Sequence, residues 1–463
     1  MTETDNKSVA LPMTVYALTV VVLSLTLTLF YRVPTASALP AFSRQTGQEC
    51  AACHVGSFGP QLTPFGRSFK LSGYTLGNKI DAVKKMSAMV VAGFEHTNGD
   101  LRKGTELTDH LQRLKTNDNV TVDQASLFYG GSITPKIGMM AQLTWSPSEE
   151  TLGWDNADLR YADNATVYGK NLVYGVTANN NPGVQDLWQT TPAWRFPYLQ
   201  SALAPTPAAG PYLAGLGQTV GGLGVYGMWN DLLYAELSGY GTLTDRTQMT
   251  LGVQDAKVSD HLSGINPYWR VALQHDTGQH YVELGTYGMS SERYPGNDHS
   301  SGTDRMLDYA LDGTYQFTSV DTKHRFSLYA SALRERQDLN ATFALLDSSN
   351  PTNSLTDFET NASYYYDNTY GITVGRFGIT GSADAILYPG PAGNKPDSAG
   401  WTVQLDATPF GKQGSPGYPF LNMRLFAQYT MYDKFDGAKT NYDGLGRNAS
   451  DNNTFFAGTW FAF

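Results

Sequence analysis

From Lys85 to the C-terminus the chain repeats one pattern: stretches of about ten residues with apolar side chains at every second position, separated by clusters of Gly, Asn, Asp and Pro. Period-two alternation sends successive side chains to opposite faces of an extended strand, so a chain made of such stretches has to become sheet. The first stretch shows it directly. Met86, Ala88, Val90, Ala92 and Phe94 fall on one face, and Ser87, Met89, Val91, Gly93 and Glu95 on the other. The first set suits lipid and the second a polar lumen. Further runs lie near 121–133, 137–147, 158–169, 172–180, 218–229, 232–243, 266–275, 280–290, 306–318, 324–335, 361–374, 378–388, 400–408, 420–432 and 452–463. They predict about sixteen strands, an even number as bacterial barrels require.

Connection lengths support the same reading. Short links (134–136, 230–231, 276–279) alternate with long ones (97–120, 181–217, 244–265, 336–360, 433–451), which is the habit of a barrel with short turns at one end and long loops at the other. A periplasmic N-terminus would place every long loop outside. The chain ends Phe455-Phe456-Ala457-Gly458-Thr459-Trp460-Phe461-Ala462-Phe463, similar to the closing strand of outer-membrane proteins. Charged residues make up only 16% and aromatics 12%, which suits such a barrel better than a water-soluble enzyme. A single β-sandwich of roughly 100 residues is too small for this stretch.

The N-terminal part is different. An apolar run from Val15 to Tyr31 precedes Ala36-Ser37-Ala38, a small-x-small cleavage pattern, so residues 1–38 read as a secretory signal peptide, with a retained anchor as the alternative. Either carries the rest of the chain across the inner membrane. Residues 39–84 then form a segment too short for a large core, and residues 85–463 the barrel. Within the short segment lie the only two cysteines of the chain, in Cys50-Ala51-Ala52-Cys53-His54. This is the attachment pattern of a c-type haem: two thiols reach the porphyrin edge and the next residue turns its imidazole onto the iron. A zinc site would need ligands that the chain does not supply nearby, and a thioredoxin-like pair would need a βαβ setting. The predicted architecture is thus all-β: a transmembrane antiparallel barrel of about sixteen strands with a small N-terminal c-type cytochrome segment plugging its lumen.

No second His or Met occurs in Leu39–Ile80, so a sixth iron ligand would have to come from the barrel or from water. Met89 is the nearest methionine predicted to point inward and is the tentative sixth ligand, a packing role being the bland alternative; Met86 should point outward and His96 lie at the outer end of the same strand. Phe42, Arg44 and Phe65 are expected to shape the pocket, Arg44 by pairing a propionate. Gly222-Leu223-Gly224-Val225-Tyr226-Gly227 matches a dinucleotide-binding string but sits in a strand-and-turn context, so it marks no nucleotide site. Glu149, Glu150, Asp155, Asp298 and Asp338 could attract a hard cation but read better as solvated loop charge. Nothing points to nucleic acid.

Leu39-Pro40-Ala41-Phe42-Ser43-Arg44-Gln45-Thr46-Gly47, Cys50 to His54, Leu62-Thr63-Pro64-Phe65-Gly66-Arg67 and Phe69-Lys70-Leu71-Ser72-Gly73-Tyr74 together resemble the fused monohaem cytochrome-porins of iron-oxidising bacteria. The resemblance implies one covalently bound haem c at Cys50, Cys53 and His54. It implies an oxidoreductase that takes electrons from extracellular Fe(II) and passes them to a periplasmic copper protein of the rusticyanin kind or to a c-type cytochrome. The activity would be of the iron:rusticyanin or iron:cytochrome c reductase type, in the lipid of the outer membrane.

Overall fold

The computed structural model describes residues 40–78, 80–100, 114–146, 150–253 and 255–463. The apolar run and cleavage pattern within 1–38, and Glu149, lie outside them. Among the described residues, sixteen strands of nine to seventeen residues and one two-residue strand form a single antiparallel sheet, from β1 (Met86–Thr97) to β17 (Thr454–Ala462). β1 pairs with β2 (Asn119–Ser132) on one side and with β17 on the other. That double pairing closes the sheet into a barrel, which removes the free edges that an open sheet would expose. The short strand, β8 (His261–Leu262), is a local addition to the end of β10 (His280–Tyr294).

Alternation does the work expected of it. In β12 (His324–Asp338), Ser327, Tyr329, Ser331, Leu333, Glu335 and Gln337 are buried on the inward face, while Phe326 and Leu328 are exposed. Leu223, Val225, Leu237, Leu284, Leu311 and Leu405 are likewise exposed on other strands. Tyr174, Phe326, Tyr364, Tyr366 and Tyr370 cluster toward the short-turn end, as interfacial aromatics do in membrane barrels. The Gly222–Gly227 string lies inside β6 (Val220–Trp229).

Three boundaries differ from the sequence reading. The run drawn at 361–374 straddles a turn: β13 (Thr352–Tyr366) and β14 (Tyr370–Gly381) are separate strands paired at Tyr366 and Tyr370. Tyr364, Tyr366, Tyr370 and Ile372 carry the alternation through the turn. The left-handed positions are filled by Asp367 (φ 52°) and Asn368 (φ 49°), so no Gly or Pro marks it. Consequently the run at 378–388 covers the end of β14 and an irregular segment. β4 (Thr151–Val167) starts well before 158; a register shift opposite Ala141–Leu143 interrupts its alternation and lets both Asp155 and Asn156 line the cavity.

The long connection 181–217 is not an external loop. Val184, Leu187, Trp188, Leu203 and Leu213 are all buried, and the segment folds back into the barrel. The Asp186 carboxylate lies 3.2 Å from Arg270 Nε on β9 (Asn266–Asp276), Trp188 Nε1 donates to the Tyr281 hydroxyl on β10, and Tyr212 N donates to Glu335 on β12. Folding inward takes the loop's apolar side chains out of water, and the charges buried with them are paired there.

The N-terminal segment holds three short helices, α1 (Pro40–Thr46), α2 (Cys50–Cys53) and α3 (Pro64–Leu71). Thr63 caps α3 by accepting from Gly66 N, and Pro64 occupies the first turn, where its missing N–H costs nothing. Partners of this segment come from around the whole circumference. Gln45 accepts from Ser132 N on β2, Tyr74 donates to Asp158 on β4, Tyr226 on β6 donates to Leu71 O, and Arg67 donates to Gln316 on β11 (Asp304–Thr318). Gln61 reaches Asn361 on β13, Asn422 on β16 (Asn422–Lys434) donates to Ser57 O, and Phe58 packs edge-on against Trp460 of β17. The segment therefore lies among the inward-facing side chains.

Candidate functional site

Helix α2 sets Cys50 and Cys53 one turn apart. His54 comes next in extended conformation (φ −120°, ψ 136°), its N–H still bonded to Cys50 O, so the chain leaves the helix at the imidazole. It then doubles back: Val55 N donates to Gln61 O and Thr63 N to Cys53 O, and α3 packs onto the hairpin. Gly66 makes that packing possible, since a Cβ there would stand 2.2 Å from Cys53 O.

Cys50, Cys53 and His54 line one cavity, where ≈ 1620 Å³ is free of protein atoms, a part of it open to solvent. Its walls come from the segment itself (Phe42, Phe58, Leu62, Phe69), from the barrel (Met89, Phe128, Met140, Trp460) and from the infolded loop (Trp194, Arg195, Tyr198). Phe42 stacks on Tyr74 at 5.6 Å and meets Phe69 edge-on at 4.9 Å. His54 Nδ1 is buried without a hydrogen-bond partner. Two thiols and an imidazole converge on a largely apolar, aromatic chamber. That donor set fits a covalently held haem, with Cys50 and Cys53 as the attachment points and His54 as the iron ligand. Among the described residues no group of three or more His, Cys, Asp or Glu is placed to hold a bare metal ion.

Met89 is buried on the inward face of β1 and lines this cavity, whereas Met86 is exposed. His96 stands at the far end of the strand, bonded through Nδ1 to Asp118 at 2.8 Å. Two expected pocket residues are elsewhere. Arg44 donates to the carbonyls of Lys84 and Met86 and does not line the cavity, because its position on α1 directs it along the segment's exit; Phe65 is exposed on the outer side of α3.

The sequence reading missed Met140, Lys70 and Arg195. Met140 shares the inward face of β3 (Ile137–Ser146) with Gly138 and Gln142, so alternation alone could have found it. Lys70 and Arg195 carry no such signal. Burial pushes the Lys70 ammonium down to about 7, and the Arg160 guanidinium adds to that. Arg195 is paired with Asp357 and Glu359. It also lines a second cavity with both carboxylates, and it is the residue that the two cavities share. Asp155, expected as loop charge, lines the first cavity.

No protein-family model and no curated protein sequence matches the chain. Solved structures similar to it include the outer membrane protein OmpT of Vibrio cholerae (9% identity, TM-score 0.41, covering 82% of this chain and 96% of that one). The outer membrane channel DcaP of Acinetobacter baumannii matches at 10% identity and TM-score 0.46, over 82% and 96%. An anion-selective porin from Comamonas acidovorans matches at 9% and 0.42, over 82% and 98%.

Proposed function

We propose that this chain is an outer-membrane c-type cytochrome that oxidises extracellular Fe(II) and passes the electrons to a periplasmic copper protein or c-type cytochrome. One observation carries the reading: Cys50, Cys53 and His54 face one chamber among the inward-facing side chains of a closed barrel whose outward face is apolar. Bound there, a haem supplies a one-electron Fe(III)/Fe(II) couple. The chain's own residues do the rest. Cys50 and Cys53 would hold the group as thioethers and His54 would ligate its iron, and the side chains of Met89 and Met140 line the barrel wall of the same cavity. The aromatic lining limits water. Short turns and the N-terminus face the periplasm in this reading, and long loops face outward. The chamber lies toward the short-turn end, since its barrel residues Met89, Phe128, Asn422, Trp460 and Ala462 are near that end of their strands. An acceptor would approach from there. A donor would enter through the second cavity, past Arg195.

The test is stopped-flow reduction of the haem-loaded protein by Fe(II) across a range of pH, with His54→Ala beside the wild type. Rapid reduction of the wild type and loss of it in the variant are expected; unaltered visible spectra and kinetics in His54→Ala would sink the proposal. A second reading, a diffusion channel whose haem segment is a structural plug, is favoured by the strand number, since barrels of sixteen strands can leave an aqueous channel. Liposome swelling in sugars without Fe(II)-driven reduction would decide for it. Reduction by sulfide but not by Fe(II) would point to another small donor.

A further inference from the structure

Lys70 is a buried cation without an ion pair among the described residues. Its side chain lines the cavity, and Nζ donates to the carbonyl oxygens of Val184 (2.6 Å) and Asp186 (2.7 Å), with the Trp194 ring 4.6 Å away. An ammonium has three N–H donors, so two are used and one is left. The carboxylates that face it are committed elsewhere: Asp158 to Arg160, Asp186 to Arg270, and Glu236 to Gln185, Tyr234 and Ser238. The other cation of the cavity wall, Arg195, already holds Asp357 and Glu359. None of these carboxylates bonds Nζ directly, so the third N–H is open to an anion supplied by what fills the cavity.

We propose that Lys70 is the anion-receiving group of this chamber and that it takes a carboxylate of the bound haem, a propionate, on its remaining N–H. The assignment rests on the proposed haem reading. It makes Lys70 a positioning residue with an electrostatic duty. A cation beside the cofactor neutralises a propionate and favours the reduced form, in which the iron carries one positive charge fewer.

Redox titration of the haem-loaded protein tests this, with Lys70→Gln, Lys70→Met and Lys70→Arg against the wild type. Covalent haem is first verified by the visible spectrum of the denatured chain. Gln is neutral yet keeps two amide donors for the loop carbonyls, Met keeps the length and apolar stem, and Arg keeps the charge. The neutral variants are expected to lower the reduced-to-oxidised ratio at fixed ambient potential about tenfold, which is ~59 mV for a one-electron couple, and Lys70→Arg to stay at the wild-type value. Haem absent from the wild type overturns both readings. Haem present, with potentials unchanged in whichever neutral variant folds, overturns only the assignment of Lys70. An equal drop in Lys70→Arg does the same, because it would mark a packing role. Titrations with and without added acetate separate the two sources of a carboxylate, and a difference between wild type and variants that appears only with acetate would assign the site to a free anion and overturn the propionate.

Discussion

Gly66 and Asp158 show how single residues hold the N-terminal segment in shape. A methyl group at Gly66 would press on Cys53 O at 2.2 Å and on Leu62 at 3.0 Å, both parts of the hairpin that presents His54. Gly66→Ala is expected to cost about 1–3 kcal/mol through forced displacement, read as a lower thermal midpoint together with a lower haem content. Asp158 accepts from Tyr74 (2.7 Å), Arg160 (2.7 Å) and Thr177 (2.8 Å) with no solvent exposure. Asp158→Asn leaves the Arg160 charge without its counter-ion and is expected to cost about 3–5 kcal/mol, measured by thermal unfolding. Legibility at this scale tracks sequence distance. Cys50, Cys53 and His54 could be grouped from sequence because they lie within one helical turn of each other, and they line one cavity. Lys70 and Arg195 could not, because what gives Lys70 its meaning is a pair of carbonyls more than a hundred residues away and what gives Arg195 its meaning is Asp357 and Glu359. Arg44 misled for the converse reason: a cation near the motif in sequence spends its donors on Lys84 and Met86.

Among the elements, strands were legible where polar clusters interrupt alternation and illegible where alternation runs through a turn, as at Asp367 and Asn368. The infolded loop was illegible altogether, since length alone marks a connection and does not say which way it folds. Its lock is electrostatic. Burial alone would raise the Asp186 carboxyl, but the Arg270 guanidinium, the Trp188 N–H, the Lys70 ammonium and the Thr190 N–H outweigh that and hold it below the ordinary carboxylate range. A depressed carboxylate contributes stability that is present above its unfolded pKa, about 3.9, and is lost as pH falls through the lower folded value. Peptic cleavage within 180–219 is therefore expected to stay slow at pH about 4 and to rise at lower pH. Asp186→Asn should bring that cleavage on at higher pH; equal cleavage of variant and wild type at every pH would show that the lock lies elsewhere.

As a whole, the molecule depends on one seam. β17 pairs with β16 and β1 at once, and Phe463 exchanges both backbone bonds with Ala88. Removing residues 454–463 would leave two unpaired edges, so the truncated chain is expected to be recovered as aggregate and not as a protease-resistant membrane barrel. That seam also fixes a calendar. β17 is synthesised after every other strand described, whereas Cys50 and Cys53 lie far ahead of it in the chain and end up lining a cavity inside the barrel. On the proposed reading, maturation enzymes must finish with those thiols while the chain is still an open thread in the periplasm. On that reading the rate of insertion, set against the rate of ligation, would decide how much of the population ever becomes redox-active.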